Sequence, residues 1–138
     1  MREAPIDHHT ALIYIMVIVS AADNEMTDRE LFSLGEMVRV LPVFRDYDSS
    51  KLVRQTQQCA DILAVDDGLD AVLGLAQHAL PDILHDTAYA IACEIAAADG
   101  KISQEELRLL EMIRYRFDID RLTAAAIERG VAARNKTL

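Results

Sequence analysis

The stretch Ile15–Leu34, IMVIVSAADNEMTDRELFSL, returns later in the chain at Ile91–Leu110 as IACEIAAADGKISQEELRLL. Ile15/Ile91, Ala21/Ala97, Ala22/Ala98, Asp23/Asp99, Glu30/Glu106, Leu31/Leu107 and Leu34/Leu110 are identical, and Val19/Ile95, Met26/Ile102 and Thr27/Ser103 are close substitutions. The shared pattern is [SA]-A-A-D-[NG]-x-[MI]-[TS]-x-x-E-L-x-x-L. A unit that occurs twice must use local structure that works in both places, so the pattern is read as an internal duplication.

Each copy spells a helix, a tight turn and a second helix. Asn24 and Gly100 are residue types that tolerate the left-handed conformation closing a helix. Thr27 and Ser103 then serve as N-caps, and Glu30 and Glu106 fall at the third helical position, which completes a capping box. Met26 and Ile102, just before the caps, can staple the turn.

The rest of the 138 residues also reads as helix. Hydrophobic residues make up 51% but aromatics only 5%, and no Asn-Gly-type hairpin turn appears, so strands are disfavoured. Leu31, Leu34, Val38 and Leu41 form a core stripe that Pro42 stops. A loop through Val43–Asp48 leads to Ser49 or Ser50 as a cap, and a helix with Leu52, Gln55, Cys59, Ile62 and Leu63 near its buried side runs to about Val65. Asp66-Asp67-Gly68 breaks it. A short helix covers about Leu69–Leu80, and Pro81 opens a long helix through Ala98 with Leu84, Ala88, Ile91, Ala92 and Ile95 facing the core. The helix from Gln104 carries Leu107, Leu110, Ile113 and Phe117, and a last helix covers about Arg121–Arg134. The expectation is an all-α, seven-helix single domain over 1–138, with its core at about 10–133. A chain of this length buries enough surface to fold without a metal or disulfide.

Ala11–Ala22 (ALIYIMVIVSAA) imitates the apolar part of a signal peptide, but Glu3 and Asp7 precede it where positive charge is needed, and it is too short to cross a bilayer. Its second copy lies deep in the chain, so it is read as a core helix. No membrane insertion is expected. Cys59 and Cys93 lack metal-binding or redox spacing and read as free, buried thiols of a cytoplasmic protein.

Asp plus Glu outnumber Lys plus Arg by 23 to 14, for a formal charge of −9 and a pI near 4.8. Such a surface repels phosphate backbones, which argues against nucleic acid and for cations or a basic protein face. Asp23 and Asp99 concentrate the question. A carboxylate at a helix C-terminus is unfavourable by about 0.3–1 kcal/mol, yet both copies place one there. Either each accepts hydrogen bonds from the turn amides, as an Asx turn, or it joins Glu30 or Glu106 in an oxygen-rich cation site. The glutamates have a capping role already, although their outer lone pairs stay compatible with a metal.

Asp99-Gly100-Lys101-Ile102-Ser103-Gln104-Glu105-Glu106 resembles the second half of an EF-hand loop, but Ile95 and Ala97, and Val19 and Ala21 in the other copy, stand where that loop needs oxygen ligands. A divalent ion would need pooled ligands or waters. His8 and His9 read as a solvated start, and Pro81 separates His78 from His85. No nucleophile elbow, HExxH or phosphate loop is present, so no enzyme is expected.

The Ala-Ala-Asp-Gly-x-Ile-Ser-x-x-Glu unit, repeated in an acidic helical chain, resembles the TerB-like family, the tellurite-resistance TerB proteins and their relatives, over roughly Thr10–Ala133. The resemblance implies a seven-helix fold with pseudo-twofold symmetry, related domains fused to co-chaperones and other partners, and a setting of tellurite resistance or stress response. It further implies that acidic residues of the repeated motif, here Asp23, Glu30, Asp99 and Glu106, bind a divalent metal ion. The chain departs from the pattern at Asn24, where the second copy has Gly. A non-catalytic metal-binding module is the expected function, and an acidic domain docking a basic partner without metal is the alternative.

Overall fold

A helix that is apolar on every side has nowhere to lie except between other helices. The first helix, α1 (His8–Ser20), occupies that place in the computed structural model, which describes residues 5–22, 26–98 and 100–138. Asp7 caps it by accepting from the Thr10 backbone N–H at 2.8 Å, and every residue from Thr10 to Ser20 is buried. The following helices are α2 (Asp28–Val40), α3 (Leu52–Leu63), α4 (Gly68–Ala79), α5 (His85–Ala97), α6 (Gln104–Arg116) and α7 (Arg121–Arg134). The fold is all-helical, with seven α-helices and no strand among the described residues. α1 packs against α3, α4 and α5, and α5 in turn carries α6 and α7.

The helix ends follow from single residues. Pro42 cannot continue α2, and it opens a 3-10 turn, Pro42–Phe44, that drops Phe44 into the core. The segment expected to be loop is therefore partly ordered by an anchored aromatic. The expected Ser49 or Ser50 cap is corrected: Asp48 caps instead, its Oδ1 accepting from Ser50 N–H at 3.0 Å, and a 3-10 turn, Ser49–Lys51, precedes α3. At the next corner Asp67 adopts a left-handed φ of 60°, a conformation Asp tolerates better than most residues. Pro81 does not open α5 directly. A 3-10 turn, Asp82–Leu84, intervenes, and the α-helix starts at His85.

His9 corrects a second expectation. It is half-buried, donates from Nε2 to the Val43 carbonyl at 2.9 Å, and stacks on Phe44 with ring centroids 5.7 Å apart. Beside it the Tyr47 hydroxyl donates to Gln55 Oε1, and Gln55 Nε2 donates to Thr10 Oγ1 at 2.8 Å. This chain of hydrogen bonds ties the start of α1 to α3. Cys59 and Cys93 are free and buried, as expected. Burial pushes the Cys59 thiol up to about 12 and the Cys93 thiol to about 11, so neither is a ready nucleophile.

Candidate functional site

Both motif segments build the predicted capping box. Ahead of α2, Thr27 Oγ1 accepts from Glu30 N–H at 3.1 Å, and Thr27 N–H donates to Glu30 Oε1 at 2.8 Å. Ahead of α6, Ser103 Oγ accepts from Glu106 N–H at 3.0 Å, and Ser103 N–H donates to Glu106 Oε1 at 2.9 Å. Four amides that no helical carbonyl could satisfy are thereby paired. Asp28 joins Glu30 in the first turn of α2, and Glu105 joins Glu106 in that of α6. These carboxylates sit where the helix dipole favours negative charge.

The turns leading into the caps are only partly described. Ala21 N–H returns to the Val17 carbonyl at 2.9 Å, which closes α1. Gly100 has φ 84° and its N–H reaches the Ala97 carbonyl at 3.1 Å, so it is the left-handed residue that the sequence called for. Asp23 and Asp99 themselves lie outside the described residues. Of the four expected ligands, the structure therefore locates Glu30, which is half-buried, and Glu106, which is only 9% exposed. Among the described residues no group of three or more His, Cys, Asp or Glu side chains is arranged to hold a metal ion.

The capping geometry makes a direct prediction. Thr27→Ala or Ser103→Ala should lower stability by about 0.5–2 kcal/mol, read from urea unfolding curves. Glu30→Gln and Glu106→Gln keep an accepting oxygen at the same place and should lose less. Alanine variants that unfold like the wild type would contradict these boxes.

Two features escaped the sequence. Glu106 is buried, which its role as a cap explains, since a carboxylate held by backbone amides can leave water. Leu107, grouped from the sequence with Leu110, Ile113 and Phe117, is 47% exposed while those three are buried, and Leu109, which that grouping left out, is buried too. Leu107 lines a groove between α6 and α7 over α5, about 1040 Å³ in volume.

Against known proteins, the family model described as Tellurite resistance protein TerB matches residues 9–129. No curated protein and no solved structure matches the chain.

Proposed function

Since the chain belongs to the TerB family, a match that takes in both acidic turns, we propose that it is a non-catalytic module of tellurite or metal resistance or stress response. In this reading its acidic turns bind a divalent cation through Asp23, Glu30, Asp99 and Glu106. The observation that carries it is the equivalent posture of the two glutamates. Each is fixed by its own backbone cap at the rim of a turn that holds a further acid in sequence. A carboxylate already oriented loses less freedom when it meets an ion. At Glu30 only Oε1 is engaged by the cap, and Oε2 takes no hydrogen bond among the described residues.

Oxygen-only ligands favour hard cations such as calcium, magnesium or manganese, and waters would complete a shell that one turn cannot fill. Buried free thiols support a reducing compartment such as the cytoplasm. No described helix is long and apolar enough to cross a membrane.

Thermal melts test the proposal. Protein freed of metal by chelation is compared with protein in millimolar calcium, magnesium, manganese or zinc, beside an Asp23→Asn/Asp99→Asn variant. One site filled at a hundred times its Kd adds about 2.7 kcal/mol. At least one ion should raise the wild-type Tm, and the same ion should do clearly less for the variant. If no ion separates the two proteins, the cation reading falls, and the acidic surface is left as a face for a basic partner.

A further inference from the structure

The charge of the chain is unevenly placed. Up to Gly100 there are 6 Lys and Arg against 17 Asp and Glu, whereas from Lys101 onward there are 8 against 6. This basic-leaning part forms α6 and α7, the walls of the groove over α5. Ile102 and Leu107, 41% and 47% exposed, lie along it with Leu110 and Ala124. Arg108, Arg114 and Arg121 also line it, and none of the three forms an ion pair among the described residues. Elsewhere Arg39, Arg116 and Arg134 each hold a carboxylate, of Glu36, Asp70 and Glu94. Arg29, Arg45, Arg54 and Arg129 also form no ion pair among the described residues, so what sets these three apart is that they line one groove together with exposed apolar side chains. The lining has two acids, Glu111 and Glu128, and Glu128 already accepts from the Tyr89 hydroxyl.

We propose that this groove docks an amphipathic acidic helix of a partner protein. The apolar stripe of that helix would lie on Ile102, Leu107 and Leu110, and its flanking Asp or Glu side chains would meet Arg108, Arg114 and Arg121. Helix-in-groove docking lays the apolar face of an amphipathic helix into a hydrophobic trough, and charged margins add selection for a partner of opposite sign. The α7 residues lining the groove run from Arg121 to Ala132, roughly 17 Å at 1.5 Å per residue, enough for about three turns of a bound helix. A guanidinium recognises a carboxylate with two parallel hydrogen bonds, which fixes the register of the guest. The sign of the partner is opposite to what the whole-chain charge suggests. The inference does not depend on cation binding by the acidic turns.

The test uses the full chain and two dye-labelled peptides of about sixteen residues, a little over four helical turns. Both carry Leu at helical spacing, one with Glu and one with Lys on the flanks. Fluorescence anisotropy should show saturable binding of the Glu peptide that weakens with salt. Leu107→Glu, and separately Arg108→Glu with Arg121→Glu, should each weaken it at least tenfold while Tm stays within a few degrees. The charge-reversed protein should now prefer the Lys peptide. Absent binding of the Glu peptide, or equal binding by wild type and both variants, would overturn the proposal. So would a wild-type dimer in sedimentation that Leu107→Glu disperses, because a second copy would then occupy the groove.

Discussion

Leu12→Ala should destabilise the protein by about 2–5 kcal/mol and lower Tm on the order of 10 °C. Leu12 is fully buried in a helix that is itself enclosed, with α3, α4 and α5 all packed against it. The lost methyl groups leave a cavity that neighbours held on several sides fill poorly. Phe32→Ala provides the contrast. That ring is 69% exposed on α2, and its removal should change stability by no more than about 0.5 kcal/mol. Urea unfolding of both variants decides the matter, and comparable losses would refute the placement of α1 at the centre.

Gly68→Ala should be comparably severe for a different reason. A Cβ at this position would lie 2.3 Å from the Ile62 carbonyl oxygen and under 3.0 Å from the Leu63 backbone. These are backbone atoms of the preceding helix end, so the corner between α3 and α4 must open to admit one methyl group. Overpacking usually takes about 1–3 kcal/mol, and a clash with main chain belongs at or above the top of that range. Gly130→Ala is the same chemical change in the middle of α7, where nothing lies within 4 Å. It should stabilise by about 0.5–1 kcal/mol through helix propensity. Opposite signs for the two substitutions are the expected calorimetric result, and a harmless Gly68→Ala would mean that the corner is looser than described.

The sequence was most legible where one residue decides a local outcome. Thr27 with Glu30, and Ser103 with Glu106, announce helix starts because cap and acid answer each other within one turn. Gly100 marks the left-handed turn for a comparable local reason. Misreadings arose where distant parts decide. Leu107 belongs to the apolar stripe of α6, but whether that flank is covered depends on where α7 lies on α5. His9 looks like surface until Phe44 and Tyr47 fold back over it. The groove was invisible for the same reason, as it is made by helices that sequence alone does not position. At the acidic turns, the capping role of the glutamates was legible, whereas spacing cannot decide between an Asx turn and a cation ligand for the aspartates.

The central position of α1 also has a consequence during synthesis. The most apolar helix leaves the ribosome before the helices that enclose it, and α5, one of them, is complete only at Ala97. Roughly 80 residues must be added in the interval, about 4–16 s at ordinary elongation rates. Throughout that time ALIYIMVIVS has no finished shelter and is a natural substrate for chaperones that hold apolar segments. Nascent chains stalled before α5 should therefore be captured by such chaperones far more than chains stalled after α7.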